Sequence, residues 1–210
     1  MKVLYITANP KAREDSHSLS VGHSFIKEYQ KINKDDEVIS LDLFNTDVPE
    51  IDADVMNAWG KLQSGVEFSD LSAEEANKVN SMNNNLEQFM EADKYVFVTP
   101  LWNFGVPPVL KAYIDNLAIN GKTFKYTENG PEGLLEGKKA LVIQASGGIY
   151  SSPAMKEFEH GSNYMGVVLN FLGIKDRAEL LVEGVNMAND GGSAIRDEFS
   201  QRAEDLAKRF

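Results

Sequence analysis

Four short runs of β-branched and aliphatic residues, Val3 to Thr7, Val38 to Leu43, Tyr95 to Thr99 and Ala140 to Ala145, recur with a long helix-compatible stretch between each pair. Runs that are apolar at nearly every position suit a sheet buried on both faces, and strands separated by helices return in the same direction. A fifth, weaker run spans Ala178 to Val185. Helices are expected over Ser18 to Ile32, Ser72 to Ala92, Pro108 to Ile119, Pro153 to Leu172 and Ala194 to Arg209. The fold class is α/β, a parallel sheet covered on both sides.

Helix boundaries are sharpest at Ser72, where Ser72 and Glu75 form the S-x-x-E pattern that satisfies two otherwise unpaired amides. Behind it Val79, Met82, Leu86, Phe89 and Met90 step by three and four onto one face, a stripe for core packing. The connection from the second run to the third holds more than a single crossover requires. Ile51 to Leu62, carrying Trp59 behind Asp52-Ala53-Asp54, reads as an extra short helix, and a partner surface is one purpose for it. With 210 residues and no linker, repeat or low-complexity tract, the chain is expected to form one domain over residues 1–210.

Charge narrows the partners: 21 basic against 32 acidic residues leave a net −11, and the basic ones never gather. Nucleic acid and anionic membrane surfaces both need a basic face, so neither is expected. Without cysteine there is no thiolate nucleophile, thiolate metal site or disulfide. His17, His23 and His160 lack the spacing of metal ligands, so no metal is expected. No run approaches the roughly 18 apolar residues of a membrane span, and the N-terminal run is too short for a signal segment. A soluble, cytoplasmic protein is expected.

In an open parallel sheet, ligands bind beyond the carboxyl ends of the strands. The loop after the first strand lacks the glycine patterns of dinucleotide and nucleoside triphosphate sites. It carries instead Ser16 and Ser18 ahead of an apolar-periodic helix, hydroxyls beside free helix amides that suit a phosphate, or else an ordinary serine cap. Adjacent Asp15, Ser16 and His17 cannot supply a hydrolytic triad, and Lys11 and Arg13 read as solvent-facing. After the third strand comes Pro-Leu-Trp-Asn-Phe-Gly-Val-Pro-Pro, residues 100–108, a stiff turn exposing Asn103 between Trp102 and Phe104. Gly105 is expected to take the unusual backbone angle there, and Pro108 to open the next helix. The aromatics suit either a flat heteroaromatic ring or the closure of the core. After the fourth strand, Ser146-Gly147-Gly148 lets a ligand lie against bare backbone. A phosphate pocket beneath a planar-ring pocket describes flavin mononucleotide, FMN, before any dinucleotide.

Several blocks together, the N-terminal V-L-Y-I-T, S-H-S at Ser16 to Ser18, P-L-W-N-F at Pro100 to Phe104, T-F-K-Y-T-E-N-G-P-E-G-L at Thr123 to Leu134, and S-G-G ahead of Tyr150, carry a resemblance. The chain resembles the FMN-dependent NADH-azoreductases, a flavodoxin-like family that also contains quinone reductases. The resemblance implies a three-layer sandwich around a five-stranded parallel sheet of order 2-1-3-4-5. It implies a phosphate site at Ser16, His17 and Ser18 with Asn9 nearby. The flavin ring would lie against Leu101, Trp102, Asn103 and Phe104, and its pyrimidine side would meet Ala145, Ser146, Gly147 and Gly148. Tyr150 stands where some relatives carry histidine, with a contact at the flavin O2.

The resemblance further implies a homodimer with a site at each end of its interface. One FMN per subunit would take hydride from NADH and deliver it to quinones or aromatic azo compounds in ping-pong turnover, with no catalytic side chain acting as acid or base. Tyr126 is assigned as an aromatic wall over the substrate, with core or interface packing as the other reading. A flavodoxin-type electron carrier is the competing function, and a non-flavin α/β domain a second.

Overall fold

Val3, Leu4, Tyr5 and Ile6 are all buried because β1 (Lys2–Thr7) lies inside a sheet with a neighbour on each side. The computed structural model describes residues 1–210. β1 pairs in parallel with β2 (Glu37–Asp42) and β3 (Lys94–Pro100), β3 with β6 (Lys139–Ala145), and β6 with β7 (Asp176–Val182). The order β2-β1-β3-β6-β7 is the expected 2-1-3-4-5 once a separate two-stranded hairpin is set aside.

Alternate side chains along the strands divide the core in two. Leu4 and Ile6 face α3 (Ala73–Glu91), α4 (Pro108–Leu117) and α5 (Ser162–Leu172), where Phe89, Leu110, Tyr113 and Met165 are buried. Val3 and Tyr5 face α1 (His17–Ile32) and α6 (Ser193–Ala207), against Val21, Phe25 and Ala203. Phe89, from the stripe expected to pack inward, stacks on Tyr95 with ring centroids 4.1 Å apart. Each such fully buried large side chain contributes about 1.5–3 kcal/mol of transfer free energy.

The extra helix of the long connection is α2 (Ala53–Gln63), capped by Asp52, whose carboxylate accepts from the Val55 amide. Lys78 on α3 bonds both Asp52 and Asp54 at 2.6 Å, while Lys61 on α2 bonds Glu75 at 2.7 Å. Glu75 also completes the expected capping box with Ser72. These pairs link the two helices, but with Asp52, Asp54 and Lys61 well exposed they contribute little to stability.

Three features differ from the sequence reading. Thr123 to Leu134 contains an antiparallel hairpin, β4 (Phe124–Thr127) with β5 (Gly130–Gly133), that propensity did not suggest because β5 is Gly-Pro-Glu-Gly. The helix expected from Pro153 begins only at Ser162; a short 3-10 turn, Lys156–Phe158, precedes it, and His160 lies outside any helix. The fifth strand ends at Val182, leaving Val185 in the loop beyond. No helix is long and apolar enough to cross a membrane.

Candidate functional site

The carboxyl ends of β1, β3 and β6 open onto one cleft of ≈ 250 Å³, lined by Asn9, Ser16, His17 and Ser18 on one side and by Leu101, Trp102, Ala145, Ser146 and Gly147 on the other. Residues far apart in the chain and expected from three different loops thus share one wall-to-wall space.

At its base, Ser16 is the N-cap of α1, its Oγ accepting from the Leu19 amide at 3.2 Å. One serine suffices for that cap. The buried second one, Ser18, is held by its neighbours instead: Asn9 Nδ2 donates to Ser16 Oγ at 2.9 Å and to Ser18 Oγ at 3.4 Å, and the two hydroxyls are 3.2 Å apart. The amides of His17 and Ser18 fall in the first helical turn and have no carbonyl partner within it. His17 Nδ1 is buried without a partner. Hydroxyls, an amide and free N–H groups at a positive helix end fit a phosphate, so the cradle matches the group it is expected to hold.

Burial lowers the His17 pKa below its ordinary value, and the charges of Arg196 and Lys11 lower it further, against smaller opposing effects from Gly191 and Asp190. In the ligand-free protein the ring is therefore mostly neutral at pH 7. A phosphate dianion held in this cradle would favour the protonated ring, so its binding would take up a proton. FMN affinity is expected to fall as pH rises through the complexed His17 pKa, and a pH series of FMN titrations checks this. The sign for folding is opposite: a depressed folded-state pKa makes the His17 contribution complete above the unfolded value of about 6.5, and it is lost as pH falls below that.

The turn after β3 closes on itself, Trp102 and Gly105 exchanging N–H···O bonds of 2.9 Å in both directions. Positive φ falls on Asn103 (47°) and Phe104 (71°), not on Gly105 as expected from the residue types. Positive φ at both central positions belongs to the type I′ turn, which holds its tip tightly. Leu101 is anchored beneath, its amide bonded to Ala145 O at 2.8 Å, while the amides of Asn103 and Phe104 find no acceptor within the chain. Trp102 does two things: it lines the cleft, and its ring meets Phe44 edge-on at 6.3 Å.

Asn103, Phe104, Gly148 and Tyr150 do not line this cleft. Asn103 and Phe104 stand exposed at the turn's tip, and the Tyr150 ring is 6.2 Å from that of Phe104. Glu183 holds the Tyr150 segment by accepting from the Tyr150 and Ser151 amides. Tyr126 is 71% exposed on the hairpin, its ring edge-on to Phe124.

Val185, expected to end the fifth strand, and Asn186, unmarked by the sequence, also line the cleft from the loop after β7. Asn186 lies so close over Gly147 that a Cβ there would fall 2.4 Å from Asn186 Nδ2. Lys11, read as solvent-facing, is exposed but belongs to the cleft wall, its amide turned back onto Asn9 Oδ1 at 3.1 Å. An asparagine beyond a strand end and a lysine in a polar loop carry no pattern of their own; only the folded strand ends show where they point.

The model of the flavodoxin-like fold family matches residues 1–208. Over 209 residues the chain is 54% identical to an FMN-dependent NADH:quinone oxidoreductase of Bacillus cereus, covering 100% of this chain and 99% of that protein. It is 53% identical to an FMN-dependent NADH:quinone oxidoreductase of Geobacillus kaustophilus, again over 100% and 99% of the two chains. Among solved structures it superimposes on an FMN-dependent NADH-azoreductase from Bacillus anthracis in complex with FMN, with a TM-score of 0.93 and 36% identity over 99% of this chain and 98% of that one.

Proposed function

Because the chain belongs to the flavodoxin-like fold family, we propose from its cleft and its full-length relatives that it is an FMN-dependent NADH oxidoreductase reducing quinones to hydroquinones and aromatic azo compounds to amines. The observation that carries this reading is the meeting of the Asn9–Ser16–Ser18 cradle, Leu101 and Trp102 at the base of the stiff turn, and Gly147 across one cleft. When bound, FMN supplies the chemistry by accepting hydride from NADH and passing it to the second substrate, one round for a quinone and two for an azo bond.

The chain's part is to bind and orient. Ser16, His17, Ser18 and Asn9 hold the phosphate, with α1 adding its positive end. Leu101, Trp102, Asn103 and Phe104 seat the ring. The tip amides find no acceptor in the chain and are left for its polar edge. Ala145, Ser146, Gly147 and Gly148 border the pyrimidine side, where backbone N–H groups favour negative charge without a titrating side chain. Tyr150, beside Phe104, closes the outer rim.

A homodimer in which residues 1–210 act as one FMN-binding domain is part of the proposal. It is supported by large apolar side chains left exposed in the single chain, Tyr126 on the hairpin and Val167 on α5, itself 70% exposed. In that assembly Tyr126 faces substrate. Sedimentation velocity reporting the mass of one subunit at micromolar concentration would remove the dimer. The cytoplasm is the compartment proposed.

Purified protein supplied with FMN is expected to show flavin absorption that NADH bleaches anaerobically and a quinone restores, with steady turnover and no accessory reductase. Bleaching without turnover would make the protein an electron carrier. Failure to retain FMN would remove the flavin reading altogether.

A further inference from the structure

Residues Phe158 to Gly161 touch the flavin-seat turn in three places. The Phe158 and Phe104 rings are 5.4 Å apart, and the His160 amide donates to Phe104 O at 2.9 Å. Gly161 packs so closely that a Cβ there would fall 2.7 Å from Leu101 Cδ1 and 2.0 Å from Gln144 Oε1. Between these contacts Glu159 turns inward and is buried.

Its carboxylate is saturated with donors. Oε1 accepts from Gln144 Nε2 (3.0 Å) and the amides of Gly161 (3.0 Å) and Ser162 (2.8 Å); Oε2 accepts from Ser162 Oγ and the Asn163 amide, both at 3.0 Å. Burial pushes its pKa up, but the bonds from Gln144, Asn163 and Ser162 outweigh burial and hold it below the usual carboxylate range. Glu159 is thus a fixed anion at neutral pH, and the charged group that feels it is Glu179 of the edge strand, itself countered by Arg177.

A helix cap needs only one acceptor. Glu159 also reaches across to Gln144 on β6, whose next residue, Ala145, accepts the Leu101 amide at 2.8 Å. Through His160 and Gln144 it therefore grips both ends of the turn. That turn needs gripping: Phe104 at φ 71° lies where a side chain is strained, and such conformations persist only where their surroundings over-determine them.

We propose that Glu159 is a positioning residue that locks the Trp102–Gly105 turn in its left-handed form and imposes a fixed negative charge behind the flavin seat. The second part rests on the FMN reading; the first does not. A fixed anion opposes further negative charge, so it lowers the reduction potential of a flavin bound in front of it.

Glu159→Gln keeps the shape while removing the charge and pointing an amide at the Ser162 and Asn163 donors. In FMN-free protein, hydrogen exchange at the Trp102 and Gly105 amides is expected to quicken about fivefold or more. In FMN-loaded protein the midpoint potential is expected to become more positive. Gln144→Met, which cuts only the link to β6 and leaves the α5 cap, is expected to quicken the exchange by less and, because the anion stays and loses a donor, to shift the potential slightly negative instead; it decides the matter if Glu159→Gln does not fold. Faster exchange confined to α5, with the turn amides and the potential unmoved in the folded variants, would reduce Glu159 to a helix cap and overturn the proposal. If wild-type protein retains no FMN, the flavin reading fails, and the exchange at Trp102 and Gly105 still decides for or against the lock.

Discussion

Gly133→Ala is expected to lower the melting temperature and release the β4–β5 hairpin from the body of the protein. An added Cβ would fall 2.2 Å from Gly173 N and 2.3 Å from Leu172 C. Those are backbone atoms at the end of α5, where Gly173, at φ 99°, turns the chain left-handed, so no side chain can rotate aside. Leu135, just beyond, is tied to the same place by its amide on Leu172 O at 2.9 Å. Overpacking of this kind costs about 1–3 kcal/mol, or more where backbone must move, and each kcal/mol is worth roughly 2–4 °C in a chain of this size. A thermal melt measures the loss, and limited proteolysis should find new cleavage between residues 124 and 133. An unchanged melt would mean the hairpin is not seated on α5. The same hairpin carries Tyr126, so substrate turnover should fall with it while FMN binding, served by the loops after β1, β3 and β6, is kept.

Replacing Ser16 and Ser18 together by alanine is expected to weaken FMN binding by about 1–3 kcal/mol, roughly 5- to 150-fold. The two serines are not equivalent. Ser16→Ala also removes the α1 cap, which by itself lowers stability by about 1 kcal/mol. Ser18 caps nothing, so Ser18→Ala isolates the phosphate contact. Quenching of FMN fluorescence on titration reads the affinity, and a thermal melt separates out the cap. Affinity unchanged in the double variant would show that the phosphate does not sit at the head of α1.

How much of this was visible in the chain before it was folded depends on the kind of signal. β1, β3 and β6 were legible because β-branched and aliphatic residues buried on both faces leave an uninterrupted apolar run, edge strand β2 because Val38, Ile39 and Leu41 mark it, and α3 because its cap and stripe are both written in residue types. The hairpin was not, since Gly130 to Gly133 is held by its register with Phe124 to Thr127 rather than by strand propensity. Pro153 to Phe158 reads as helix, yet α5 waits for Ser162, because the buried Glu159 carboxylate gathers the amides from Gly161 to Asn163.

The same division holds at the cleft. Ser16, Ser18, Leu101, Trp102 and Gly147 were recognisable because each sits just beyond a legible strand, whereas Asn103, Phe104 and Gly148 fall outside the cleft. The assignment of left-handed backbone to Gly105 failed for a physical reason: tertiary bonds from His160 and between Trp102 and Gly105 impose it on Asn103 and Phe104 instead. Asn186 reaches the cleft from a loop whose strand was itself weakly marked, so nothing local singles it out.

The position of β1 between β2 and β3 also governs when this protein can form. Val3 pairs with Val38 on one side but with Lys94 on the other, so the second partner of the first strand is made long after it. Closing so long a loop is entropically costly, and sheets built from distant segments assemble slowly. At about 5–20 residues per second of synthesis, β1 waits on the order of 5–20 s for β3 to emerge, with one hydrogen-bonding edge and its apolar faces uncovered. The earliest strand to leave the ribosome is thus exposed through nearly half of translation, which makes the nascent chain, rather than the finished protein, the form most in need of a chaperone.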